Sequence, residues 1–298
     1  MSPTQCTLEK TEPVVQAAPT ETAPPETIIA PARGWQVMNW GELWRFRELI
    51  AILAWRDIKV RYKQTVLGVA WAVLQPAMMM LVFTIFFGKL GGIDSGDLPY
   101  SVFVYTGLLP WMFVSTAITS ASNSVLGSER LITKVYFPRL ALPISAVATA
   151  LVDFCFAFGL LVLLMLWNGI VPGLSLLLLP VFLLVLTVAA LGIGTLLAGL
   201  HVAYRDFRYV TPFLIQIGMF VTPAIYMPAD RFQSDNFWVQ TLLAVNPFNS
   251  LIAGLRGACL GTDIPWGMVA SSAALVAVVF LAGCFYFRKV EDWFADII

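Results

Sequence analysis

Charge is what this chain has least of: 12% of its 298 residues are Asp, Glu, Lys or Arg, where a soluble domain carries about 25%. Histidine occurs once, at His201. The four cysteines, Cys6, Cys155, Cys259 and Cys284, form no C-x-x-C pair, which argues against a zinc site and against a disulfide framework. No H-E-x-x-H, G-x-S-x-G or paired carboxylates occur, so an enzyme reading has little to stand on. G-x-x-x-x-G-K-[ST] is also missing, so any ATP that drives this protein must be bound elsewhere. The 18 basic and 18 acidic residues cancel, leaving no global field to attract nucleic acid. No apolar h-region of a signal peptide is visible at the start.

What the chain has in excess is apolar surface, with 59% hydrophobic residues and a mean hydropathy of +0.80. Such a chain needs a bilayer as part of its solvent. A helix crosses about 30 Å of hydrocarbon with ~20 apolar residues, and six stretches qualify: 68–88, 102–126, 142–167, 174–199, 211–228 and 266–287. Prolines at 76, 110, 180 and 223 fall in or near them, which membrane helices tolerate where neighbours re-satisfy the freed carbonyls. With six crossings, fifteen of the 18 basic residues fall on one side and only Lys89, Arg231 and Arg256 on the other. The excess of Lys and Arg marks the cytoplasmic side, which places both termini there. The expected fold is all-α, a six-span membrane domain over 34–298 behind a Pro-, Thr-, Ala- and Glu-rich tail at 1–33 that reads as disordered.

Two connections carry more than a turn. Before the first span, 35–63 places Phe46, Leu49, Ile50 and Leu53 on one helical stripe and Arg45, Arg56, Lys59 and Lys63 on another. Trp44, Trp55 and Tyr62 fall on a third, the pattern of a helix lying in the membrane interface. Between spans five and six, Phe237–Val245 and Phe248–Leu260 are each too short to cross and are split by Asn246-Pro247; they read as re-entrant or interfacial helices. The loop 127–139, with Ser128, Glu129 and Arg130 at its start and Pro138 at its end, suits a short docking helix for a soluble partner or an ordinary connection. Asp153 is the single carboxylate inside a span. Such an acid is a functional candidate by default; the competing reading is a helix-to-helix hydrogen bond or a protonated acid facing the bundle. His201 reads as an interfacial residue.

Four separated stretches, WRDIKVRYKQTVLGVAWAVLQPA (55–77), LITKVYFPRLALP (131–143), LHVAYRDFRYVTPFLIQIGMFVTPAIY (200–226) and VNPFNSLIAGLR (245–256), together resemble the type-2 ABC exporter permeases for O-antigen, teichoic acid and related polysaccharides. The likeness spans roughly 35–295 and excludes the tail. It implies a homodimer carrying two copies of a separate ABC ATPase, which binds the ATP and magnesium, so this chain needs no cofactor or metal of its own. It implies a bacterial inner-membrane location and, as substrate, a polysaccharide on an undecaprenyl-diphosphate carrier. It also implies an interface helix with Trp44, Trp55, Arg56, Lys59 and Arg61, and a coupling segment with Glu129, Arg130, Lys134 and Tyr136. The first and fifth spans would line the channel, with Phe83, Phe86, Phe87, Phe213, Phe220 and Tyr226 as aromatic surface that tolerates varied sugar rings. Packing or lipid contact is the ordinary fate of such rings. A passive channel, or export of a small lipid or drug, remains the alternative reading.

Overall fold

The computed structural model describes residues 40–63, 68–93, 96, 98–227 and 245–291. The tail at 1–33 and the run Phe237–Val245, except its last residue, lie outside the described residues. Every regular element among those described is helical. Helices α1 (Trp40–Arg45) and α2 (Arg47–Lys63) precede α3 (Ala70–Phe83), which widens into a π-helical turn at Thr84–Leu90. Then come α4 (Tyr100–Ser124), the one-turn α5 (Glu129–Ile132), α6 (Ala141–Trp167), α7 (Leu179–Ala203), α8 (Phe207–Phe220), α9 (Pro247–Leu260) and α10 (Trp266–Glu291).

Five of these elements are long and apolar enough to cross a membrane: Ala70–Leu90, Tyr100–Ser124, Ala141–Trp167, Leu174–Ala203 and Trp266–Glu291. The fifth expected stretch, 211–228, does not form one long helix. Its helix α8 has 14 residues, about 21 Å at 1.5 Å per residue, and ends before a 3-10 turn at Pro223–Ile225. Proline lacks the N–H that would continue the ladder and biases the residue before it away from helical backbone.

Helix α4 is the hub. Val102, Tyr105, Leu109, Phe113, Ala117 and Ala121 are all buried, and they share a core with Ala150, Ala157 and Leu161 of α6, Leu186 and Ala190 of α7, and Leu251 and Leu255 of α9. The buried Tyr105 hydroxyl donates to the Ala157 carbonyl at 2.9 Å. Helices α7 and α10 approach backbone to backbone: a Cβ on Gly192 would stand 2.6 Å from Phe280 Cα. By contrast α3 and α8 are thinly covered, exposing Trp71, Met78, Leu81 and Phe86 on one and Tyr209, Phe213, Leu214 and Phe220 on the other.

A smaller cluster fixes one end of the bundle. Leu43 of α1, Val125 after α4, Leu140 before α6, Val202 of α7 and Phe287 of α10 pack together. The basic loop residues of 130–139 and 205–208, and Arg288 and Lys289, therefore gather at this end. The opposite end is closed by Phe83, Val104, Leu108, Ala224, Ile225 and Ile252.

Candidate functional site

At the basic end, α2 leans on α6. Its stripe of Phe46, Leu49, Ile50 and Leu53 packs on Phe137, Ala141 and Leu142, so this face covers the chain's own helix rather than hydrocarbon. Trp44 of α1 and Ile52, Trp55 and Val60 of α2 are all more than half exposed. Cations sit over the two indoles, Arg47 at 5.1 Å from the Trp44 centroid and Lys59 at 5.3 Å from that of Trp55. Amphipathic aromatic rings with adjacent cations suit a headgroup layer.

Eight residues beyond Leu53, α2 delivers its strongest contact. Arg61 and the Tyr62 hydroxyl both donate to the carboxylate of Asp153 on α6. Asp153 lies twelve residues into α6, about 18 Å along its axis. Burial, and then the bond to Asp153, push the Tyr62 phenol well above its ordinary value, so it stays protonated and donates. Asp153 thus meets a guanidinium and a phenol from α2.

Below that pair opens a groove of about 260 Å³ between α2, α4 and α6. Arg56, Asp57 and Arg61 form one wall, and Asn123, Ser124, Ser128, Ser145 and Thr149 are among the others. Arg56 holds Asp57 through two nitrogens at 2.8 and 2.9 Å. A narrower cavity of about 60 Å³, lined by Gln75, Met112, Thr116 and Asp153 among others, lies between α3, α4 and α6.

The docking helix expected within 127–139 is shorter than its pattern suggests. One turn, α5, is helical, preceded by a 3-10 turn at Leu126–Ser128. Thr133 folds its hydroxyl back on Glu129 and Arg130 carbonyls, and Pro138 disfavours helix at the residue before it. Leu131 and Ile132 turn inward against the Leu53 cluster. Glu129, Arg130, Lys134 and Tyr136 all remain on the exposed surface. Burial and the Glu42 and Glu291 carboxylates raise the Tyr136 phenol, which bonds Glu42, while Arg139 opposes the shift. Arg139 in turn binds Glu291 at the end of α10, through its backbone N–H at 3.1 Å and its guanidinium. The segment is wired to both ends of the domain.

The six aromatic candidates divide. Phe83, Phe87 and Tyr226 stack on one another, with centroids 5.2 Å apart for Phe83–Phe87 and 5.1 Å for Phe87–Tyr226. Phe83 is buried, whereas Phe86, Phe213 and Phe220 are more than half exposed. The first three pack on one another; the last three are exposed, Phe86 on the turn that follows α3 and Phe213 and Phe220 on α8.

At the far end two Pro-containing turns clasp each other. Asn246 caps α9 by accepting from Phe248 N at 3.0 Å, while its amide donates to the Val221 carbonyl and the Thr222 hydroxyl. Asn249 accepts from Ala224 N. Arg256, buried, donates to Thr106 Oγ1 and to the Ala224 and Ile225 carbonyls and lies over the Phe103 ring. Gly107 makes room: a Cβ there would stand 2.6 Å from Arg256 Nη2. Sequence reasoning had Arg256 only as a stray outer cation. Its place in an otherwise apolar run was the available signal. His201 is buried in the last turn of α7, its Nε2 2.8 Å from Thr211 Oγ1.

The ABC-2 type transporter family matches residues 48–260. The O-antigen export system permease protein RfbA of Myxococcus xanthus is 30% identical over 258 residues, 86% of this chain and 98% of that protein. A protein of the same name from Klebsiella pneumoniae is 24% identical over 84% of this chain and 95% of its own. The polysialic acid transport protein KpsM of Escherichia coli is 26% identical over 80% and 91%.

Proposed function

Because the chain belongs to the ABC-2 type transporter family, we propose that it is the membrane-spanning subunit of an ATP-driven exporter of undecaprenyl-diphosphate-linked polysaccharide, O-antigen being the glycan. Two copies of the chain form the channel in the bacterial inner membrane, and two copies of a separate ABC ATPase supply the energy. The observation that carries the substrate class is the near end-to-end match to a relative whose name is O-antigen export permease.

The topology follows from the two ends of the bundle. Leu43 near the start of the domain and Phe287 near its end pack in one cluster, which supports an even number of crossings. His201 holds the start of α8 at the basic end through Thr211, and Ile225, just past α8, packs with Val104 and Ile252 at the other. Residues 204–227 then make the fifth of six crossings, a helix of 14 residues completed by the Pro223 turn. The basic end faces the cytoplasm with both termini. Helix α9, capped by the left-handed Gly261, is re-entrant from the outer side.

Helices α3 and α8 have the least cover within one chain. In the homodimer they meet the second copy and the lumen, and Phe86, Phe213 and Phe220 supply weak, repeated contacts to sugar rings. The outward face of α2 rests on the inner leaflet, and Glu129, Arg130, Lys134 and Tyr136 meet the ATPase.

The test is to remove the protein from its host and measure surface glycan, then to isolate the permease with its ATPase and identify the bound lipid-linked glycan. Loss of surface glycan restored by the gene is expected. Unchanged surface glycan, with a small lipid or drug bound in its place, would overturn the substrate assignment.

A further inference from the structure

The first span departs from regular helix at one turn, at its end away from the basic loops. Thr84–Leu90 is π-helical where α3 before it is α, and the Gly91 N–H donates to the Phe86 carbonyl, five residues back, at 2.8 Å. A π turn is an α turn with one residue added, and such turns concentrate at functional sites. The Thr84 hydroxyl donates to the Met80 carbonyl at 2.7 Å, a back-bond that loosens the ladder where the widening begins.

The turn decides which ring meets Tyr226. Phe87 fills a slot between Phe83 and Tyr226 and stacks on both, while Phe86 stands outside, more than half exposed. The slot itself is fixed. Phe83 is buried. The Tyr226 hydroxyl donates to the Phe220 carbonyl, and the Tyr226 carbonyl accepts from the Tyr100 hydroxyl, both at 2.9 Å.

Closing the π turn to α passes its extra residue onward along the chain. Each residue past the turn then takes the place of the one after it, a rotation of about 100° and a rise of about 1.5 Å. Phe86 enters the slot and Phe87 leaves it. Because these neighbours are the same residue type, the slot keeps a ring in either register and stays packed. Gly91 and Gly92 follow the turn. Gly92 has a φ of 62° and nothing within 4 Å of where a Cβ would stand, so the chain there can take up the extra residue. One contact holds the observed register: a Cβ on Gly88 would stand 2.7 Å from Tyr100 Cδ1. Phe87 cannot take that place until the Tyr100 ring moves.

We propose that Thr84–Leu90 is a register switch: closure from π to α exchanges Phe86 for Phe87 in the Tyr226 slot, and Tyr100 is its latch. Helix register shifts run in microseconds to milliseconds, fast enough for a transport cycle. On the exporter reading the exchange changes the ring surface at the outer end of the path. That consequence rests on the exporter reading; the register shift does not.

The test places cysteine pairs in the full-length permease with its ATPase, the native cysteines replaced. Phe87→Cys/Tyr226→Cys reads the observed register and Phe86→Cys/Tyr226→Cys the closed one. Each pair is treated with a short bifunctional thiol reagent, with and without ATP. The Phe87 pair is expected to bridge at rest. The Phe86 pair is expected to bridge about five-fold more under ATP turnover than at rest, and to bridge at rest once Tyr100→Ala frees the latch. Deleting Ile85, an exposed residue of the turn, removes the residue that closure would pass on. That deletion is expected to keep the melting temperature and the Phe87 bridge, to lose the Phe86 bridge, and to cut export about five-fold or more. Should surface glycan prove independent of the permease, an ATP-dependent exchange of bridges still supports the switch, and only its role in export falls. Bridging of the Phe87 pair alone, with and without ATP and with and without Tyr100→Ala, overturns it. Full export by a folded Ile85 deletion overturns it as well.

Discussion

Arg256 lies with its guanidinium 3.7 Å from the centroid of the Phe103 ring and donates to three neutral groups, on Thr106, Ala224 and Ile225. A buried cation held by carbonyls and a ring face ties α9 to α4 and to the turn that ends α8. Removing it leaves two carbonyls and a hydroxyl to find new donors.

Arg256→Ala is therefore expected to cost about 3 kcal/mol or more, since hydrogen bonds to a charged group contribute about 1.5–3 kcal/mol each and the truncation also leaves a void. Arg256→Lys is expected to recover only part, because a lysine cannot stack its plane on Phe103 or fork between two carbonyls. Thermal melts of the purified permease check this order; equal melting for wild type and Arg256→Ala would remove the clasp from the stability of the outer end.

The Arg61–Asp153 pair changes what a substitution at the acid should do. An amide at 153 can still accept from Tyr62 but cannot balance the guanidinium. Asp153→Asn is expected to lower stability by about 1–2 kcal/mol, between the values for exposed and buried pairs because Arg61 is partly exposed. Adding Arg61→Gln is expected to restore part of it, giving a coupling of the same sign in a double-mutant cycle. Additive losses would reduce the pair to incidental proximity.

Much of this architecture was legible in the residues, and the boundary of legibility is physical. The distribution of basic residues depends only on sequence order, so it can be read without the fold. The stripe from Phe46 to Leu53 was readable as a face, but what it faces was not, because Phe137 and Leu142 lie about ninety residues on. The end of α8 was hidden for the same reason. Pro223 signals a break, yet the clasp by Asn246, Asn249 and Arg256 is tertiary. Asp153 was visible as an anomaly, while its partner 92 residues earlier was not. The aromatic residues show the limit most plainly, since nothing in their spacing separates the buried Phe83 from the exposed Phe86.

Orientation is testable with single cysteines in a background lacking the native ones. Labels at Asn168 and Gly261, at the end away from the basic loops, should react with an impermeant reagent from outside. Labels at Arg130 and Arg205 should react only after the membrane is opened, as the basic end belongs in the cytoplasm. External reaction at Arg205 would invert α8 and end the six-crossing topology.

Glu129 and Tyr136 separate coupling from folding. Glu129 is exposed on its single turn, so Glu129→Lys should leave the stability within about 0.5 kcal/mol of wild type while reducing export per ATP hydrolysed. Tyr136→Ala removes the bond to Glu42 and should add a loss of coupling on top. Export and ATPase rates measured together in the reconstituted complex decide it; normal coupling in the double variant would take this segment out of energy transfer.

The aromatic residues allow the sharpest separation of packing from transport. Phe83 is buried and stacks on Phe87, which stacks on Tyr226. Phe83→Ala should therefore destabilise by about 3–5 kcal/mol, the usual cost of emptying a buried aromatic site, and any lost export would report folding. Phe86, Phe213 and Phe220 are exposed within one chain, so their alanine variants should insert and melt normally. If their rings meet the glycan, each should weaken export modestly, removing a contact of about 1–3 kcal/mol if stacking on bases is a fair guide. A long polymer touches several positions at once, so Phe86→Ala combined with Phe220→Ala should lose more than either alone. Surface glycan normalised to inserted permease is the readout. Normal export in the triple variant would assign these rings to lipid or to the second copy. Abolition by one ring alone, with the others silent, would point instead to a discrete pocket for a small ligand.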